Sequence, residues 1–85
     1  MTIREIFATN LRRERQRCNL SQEALAHEAD IDRTYVSALE RSLYSASLDT
    51  IEQIATALGV EPYKLLLPDA QRDDQVDDEA NESSG

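Results

Sequence analysis

This chain has little of what most chemistry needs. Its 85 residues hold one cysteine, one histidine, two glycines, two prolines and no tryptophan. Cys18 alone cannot close an intramolecular disulfide, and it falls on the apolar side of its helical pattern, where it reads as a small hydrophobe. His27 has no second histidine or cysteine at ligand spacing, so no metal site is expected. Gly59 and Gly85 are too few and too far apart for a phosphate-cradling loop. No five-residue stretch alternates strictly enough to be a strand. No apolar run is long enough for a signal peptide or a membrane span, and the expectation is a soluble, cytoplasmic protein with no membrane role. Acidic residues are abundant but lack a scaffold to fix acid–base geometry. The expectation is a non-enzyme without cofactors.

Basic residues are scarce as well, nine Lys and Arg against seventeen Asp and Glu, for a net charge of −8. The charge is unevenly spread. Residues 69–85 contain seven acids and one base, Arg72, and carry −6; residues 1–68 carry −2. The first block is rich in Leu, Ala and Ile. The second is Asp, Glu, Gln, Asn and Ser with one Val, and cannot bury enough apolar surface to offset its ordering entropy. The expected division is a helical domain over 1–68 and a disordered acidic tail over 69–85. Arg12, Arg13, Arg15, Arg17, Arg33 and Arg41 all lie in the first half, so a locally basic surface survives the acidic total.

Helix signals recur along the first block. Thr2 and Glu5 fit a capping box, and the helix after them carries Ile3, Phe7, Leu11 and Cys18 on one side with Ile6 beside them. Glu14 interrupts that face, which requires either partial exposure or an arginine partner. Asn19 is the expected left-handed residue after this helix. Ser21 caps a second helix with Leu25, Ala26 and Ala29 on one stripe. Ala29-Asp30-Ile31 is a tight turn, and Asp32 caps the third helix. Asp49-Thr50-Ile51-Glu52 reads as a second capping box, opening a helix with Ile51, Ile54, Ala55 and Leu58 inward and Gly59 at its end. Pro62 restarts the chain, Tyr63, Leu65, Leu66 and Leu67 follow, and Pro68 stops the run. The expected architecture is all-α with five helices.

The third helix, about residues 32–41, sorts into two faces at about 100° per residue. Val36, Leu39 and Leu43 share one side. Arg33, Thr34, Ser37, Ala38 and Arg41 share the other, with no large apolar group among them. A short helix that packs on one face and offers Arg, Thr, Ser and a small Ala on the other is shaped to lie in a groove, as the second helix of a DNA-binding helix-turn-helix does. A solvated face on an ordinary amphipathic helix has the same pattern.

The run Asn10 to Val60 resembles the Cro/CI-type, or XRE-type, helix-turn-helix family, also called lambda-repressor-like. The likeness covers about residues 5–67 and rests on Leu20-Ser21-Gln22, Leu25-Ala26, Leu39-Glu40-Arg41, Ser47-Leu48-Asp49-Thr50 and Ala57-Leu58-Gly59-Val60 in this order and spacing. The stretch Asp32–Ser37 is similar to the corresponding helix of restriction–modification controller proteins. Glu14, at a position usually apolar in the family, and Ala29, at a turn position often held by glycine, depart from its pattern.

The resemblance implies a compact five-helix domain and a role for each matching position. Arg33, Thr34, Ser37 and Ala38 fall where base edges are met: Arg33 suits guanine O6/N7, Thr34 a thymine methyl, and Ala38 offers only a methyl. Gln22 matches a glutamine that grips a phosphate at a helix N-terminus, with Ser21 beside it. Tyr35 and Arg41 are placed for the DNA backbone. Arg15 and Glu40 match a structural ion pair. Few phosphate contacts and salt-sensitive binding are expected from so thin a basic footprint.

Two functional readings follow. The leading one is a sequence-specific transcription regulator, such as a repressor, that binds a palindromic site in double-stranded DNA as a homodimer, because one small domain makes too few contacts to be selective. Tyr63, Leu65, Leu66 and Leu67 are the expected dimer surface, being more apolar area than a small monomer covers easily; two of these leucines completing the core is the alternative. The second reading is an antitoxin-like or adaptor module whose acidic tail binds a basic protein partner. For the tail itself the readings are solubility, competition with DNA for the arginine face, or docking.

Overall fold

In the structure, a computed structural model, residues 1–68 are described. The expected tail over 69–85 lies outside them. The described residues form four α-helices and one 3-10 turn, with no strand among them: α1 (Ile3–Arg17), α2 (Gln22–Ala29), α3 (Arg33–Glu40), α4 (Leu48–Leu58) and the 3-10 segment Pro62–Leu66. The fifth expected helix is therefore a single tight turn; the five residues Pro62–Leu66 are too few for the spaced bonds of a longer α-helix.

Local chemistry sets most boundaries. Thr2 and Glu5 form the reciprocal capping box at α1, with the Thr2 N–H donating to Glu5 Oε1 at 2.9 Å. Ser21 Oγ accepts from the Ala24 N–H at 2.9 Å, and Asp32 Oδ1 accepts from the Thr34 N–H at 2.7 Å. Asn19 (φ 60°) and Gly59 (φ 73°) take the left-handed conformation after their helices. In the turn between α2 and α3 that conformation falls on Asp30 (φ 60°), not on Ala29. α4 begins earlier than its sequence expectation. Ser47, rather than Asp49, is the cap, and its Oγ accepts from the Thr50 N–H at 3.1 Å. Starting there buries Thr50 with Ile51, one turn before Ile54 and Ala55.

One core joins every element. Phe7 and Leu11 of α1, Leu25, Ala26 and Ala29 of α2, Val36 and Leu39 of α3, Ile51, Ile54, Ala55 and Leu58 of α4, and Leu65 of the 3-10 turn are buried together. Leu65 is 0% exposed, so the sequence expectation that assigned it to a dimer surface is corrected: it completes the monomer core. Ile3 and Leu43, expected on packing faces, are exposed. Ile3 precedes the first buried position by a full turn, and Leu43 lies past the end of α3, where the chain reverses at Ser42 (φ 61°).

Glu14 is buried on the α1 face, and Arg17 Nε donates to its Oε1 at 2.8 Å. Asn10 is a second buried polar group on that face. Its side-chain amide donates to the carbonyls of Leu65 (3.0 Å) and Leu67 (2.8 Å) and fastens the 3-10 segment to α1.

Candidate nucleic-acid interface

The framework beneath α3 is a hydrogen-bonded knot centred on the Glu40 carboxylate, which is buried at the end of that helix. Arg15 of α1 meets it with two bonds, Nε to Oε2 at 2.6 Å and a terminal NH2 to Oε1 at 3.0 Å. The remaining terminal nitrogen of Arg15 donates to the Leu20 carbonyl at 2.9 Å. The planar guanidinium thus uses its fork on the carboxylate and its far side on the loop before α2, a geometry lysine cannot reproduce. The hydrogen bond to Glu40 raises the Arg15 pKa further above its ordinary value; burial opposes this and the Glu40 charge adds to it. Gln22, the first residue of α2, donates from Nε2 to Glu40 Oε1 at 3.1 Å. One carboxylate therefore ties α1, α2 and α3 together. Arg12 adds a bond to the Glu40 backbone carbonyl at 3.3 Å, where a cation also suits the C-terminal end of a helix dipole.

On this framework α3 turns Val36 and Leu39 into the core and leaves Arg33 and Thr34 exposed at its N-terminal end. Ser37 is half-buried one turn on, and Arg41 is exposed at the C-cap. Ala38 is different. It is 4% exposed, and the chain folds back beside it, with the Leu43 N–H donating to the Ala38 carbonyl at 2.9 Å. The sequence expectation of a base contact from the Ala38 methyl is corrected accordingly. Tyr35 is half-buried; its hydroxyl donates to the Ser45 carbonyl at 3.4 Å, and its ring lies 6.3 Å from that of Tyr44. Ser21 is exposed and Gln22 half-buried at the start of α2.

Along the other edge, Tyr63 is exposed and Leu66 and Leu67 are half-buried. Ile3, Phe7, Ala46, Ile51 and Leu66 line a shallow apolar groove between α1 and α4. Asn10 is the structurally important residue missing from the sequence expectations, and Arg12, expected there only as part of a basic surface, bonds the end of α3. A polar residue one turn from Phe7 and one turn from Glu14 was the available signal for Asn10, because a buried amide there must find partners.

Among the described residues, no three His, Cys, Asp or Glu are grouped to hold a metal ion, and no helix is long and apolar enough to cross a membrane. His27 is exposed.

A tight turn between two eight-residue helices, the second buried on one side and presenting Arg and Thr on the other, is a helix-turn-helix. The helix-turn-helix family profile matches residues 11–65, and the chain belongs to that family, in its XRE-type branch. Its relatives include a hypothetical transcription factor of Neisseria meningitidis, 47% identical over 70 residues, covering 82% of this chain and 66% of that protein. The chain thus spans just under two thirds of that relative's length. Control protein C.BamHI of Bacillus amyloliquefaciens is 49% identical over 65 residues, covering 75% of this chain and 80% of the relative. Among solved structures, the restriction–modification controller protein C.AhdI from Aeromonas hydrophila superposes with a TM-score of 0.71 at 42% identity, covering 73% of this chain and 94% of that one.

Proposed function

We infer that the chain is a DNA-binding transcription regulator that reads a palindromic operator as a homodimer, with α3 in the major groove. The observation that carries this reading is the exposure of Arg33 and Thr34 at the N-terminal end of a helix whose opposite face is buried and whose C-terminal end is held by Arg15. A rigid helix that offers a fork-shaped donor and a small methyl-bearing side chain has what direct readout of a base pair requires. Ser37 and Arg41 extend the same face. Ser21, Gln22 and Tyr35 are the proposed backbone contacts, and the start of α2 suits a phosphate because its N–H groups and dipole favour an anion.

Two copies over half-sites one helical turn apart supply the selectivity one domain lacks. Tyr63, Leu66 and Leu67 are the proposed contact between them. The likeness to proteins named as restriction–modification controllers supports a regulator of that kind, acting in the cytoplasm on double-stranded DNA.

Selection from a random duplex pool at moderate salt, with wild type beside Arg33→Ala, tests the reading. Enrichment of a palindrome that Arg33→Ala no longer prefers supports it. Binding without enrichment, and only at low salt, overturns it.

A further inference from the structure

We propose that Glu40 is a positioning residue for DNA-backbone recognition: its buried carboxylate holds the Gln22 side-chain amide so that the remaining Nε2 proton meets a phosphate oxygen. The inference rests on the DNA-binding reading above.

A carboxylate only accepts hydrogen bonds, so the Gln22 side chain must turn its nitrogen, not its oxygen, toward Glu40. The observed bond from Gln22 Nε2 to Glu40 Oε1, 3.1 Å, has that sense. The nitrogen has two protons, and Glu40 takes one. The other remains on the same nitrogen, in the plane of an amide whose rotation is now fixed. A glutamine left to itself turns its carbonyl oxygen outward as readily as its nitrogen, and an oxygen facing a phosphate is repulsive. Glu40 removes that alternative before DNA arrives.

Arg15 makes the arrangement compatible with a polyanion. An uncompensated carboxylate beside a phosphate would repel it, but the Glu40 carboxylate carries two bonds from the Arg15 guanidinium and is itself buried. The pair presents no net charge, and the Gln22 amide reaches it from the half-buried start of α2. The same three residues therefore set the angle between the helices and the direction of one donor.

The test must separate positioning from simple support of the fold. Glu40→Ala alone is a poor probe, because it strands Arg15 and adds a positive charge that itself favours DNA. Arg15→Met combined with Glu40→Leu keeps the net charge, and replacing a buried ion pair by apolar groups commonly preserves folding. The probe is a fluorescein-labelled mixed-sequence duplex, which reads phosphate contacts, titrated with the full chain at several salt concentrations. Gln22→Ala is expected to weaken binding by about fivefold at every salt concentration with the salt slope unchanged, because a neutral amide donates to a phosphate without releasing a counterion. Arg15→Met/Glu40→Leu is expected to lose the same amount, and adding Gln22→Ala to it is expected to change nothing further.

Wild-type affinity in the Arg15→Met/Glu40→Leu protein overturns the proposal while DNA binding stands. So does wild-type affinity in Gln22→Ala. Absence of salt-dependent binding by the wild type overturns both the proposal and the reading beneath it. Should the double variant not fold, the wild type decides: by NMR, one Gln22 amide proton is expected to be held without DNA and the other to shift on titration with the duplex. Exchange of both Gln22 amide protons with water at the rate of an exposed glutamine, with neither shifting on titration, overturns it.

Discussion

The Asn10 side-chain amide donates to the Leu67 carbonyl across 2.8 Å, joining residues 57 positions apart. The same nitrogen serves the Leu65 carbonyl, and Asn10 Oδ1 accepts from Arg13 at 3.2 Å. This one side chain closes a 3-10 turn that has no side-chain cap of its own. Asn10→Leu leaves the Leu65 and Leu67 carbonyls without their donor, at about 1–3 kcal/mol for such stranded groups. The expected result is a lower urea midpoint and faster amide exchange at Lys64–Leu67, with exchange in α2 and α3 changed only through global stability. Equal protection of that segment in wild type and variant counts against the clamp.

Gly59 offers a cleaner measure of backbone strain. Its φ is +73°, and a Cβ built there meets nothing within 4 Å. Gly59→Ala therefore acts through conformation and not through a clash, and is expected to destabilise by about 1 kcal/mol. Urea denaturation is the check, with the midpoint falling and the slope unchanged. Asp30, at φ 60° in the turn before α3, gives the opposite sign. Asp30→Gly is expected to be neutral or mildly stabilising, because glycine adopts this conformation without a Cβ penalty.

What the sequence made legible was local. Thr2, Ser21 and Asp32 cap from within three residues, and the spacing of Leu25, Val36, Leu39, Ile54 and Leu58 marks buried helix faces. The failures come where distant packing chooses between local options. Ser47 and Asp49 are both competent caps, and burial of Thr50 and Ile51 selects the first. In Tyr63–Leu67 an α-helical period and a 3-10 period turn different leucines inward, so the pattern alone does not single out Leu65. For the site, exposure of Arg33 and Thr34 followed from the wheel, while burial of Ala38 depends on the reversal at Ser42. The Gln22–Glu40 bond spans 18 residues and has no local signature.

Glu40 also permits a stability test independent of DNA. Removing one member of a buried ion pair leaves the other short of its partner, and Glu40→Ala is expected to cost about 2–4 kcal/mol, while Arg15→Met/Glu40→Leu recovers most of it. Arg15 contributes no pH dependence near neutrality. Its folded pKa is raised, so its share of stability is complete below the ordinary arginine value and is lost only as the pH rises through the still higher folded one. Thermal melts of the three proteins at neutral pH check the order.

Leu65 and Tyr63 separate folding from assembly. Leu65 is fully enclosed, and Leu65→Ala is expected to cost the monomer about 2–5 kcal/mol through lost burial and a residual cavity. Tyr63 is 53% exposed, and Tyr63→Asp is expected to change monomer stability by no more than about 0.5 kcal/mol. If Tyr63, Leu66 and Leu67 face a second copy, the aspartate places a desolvated charge in that contact, and sedimentation is expected to show weakened self-association in a protein that melts like the wild type. Operator affinity then falls more steeply at low protein concentration, because assembly and DNA binding draw on the same equilibrium. Unchanged association in Tyr63→Asp and in Leu66→Lys would move the dimer contact away from the 3-10 turn, and the groove lined by Ile3 and Ala46 would be the next surface to alter.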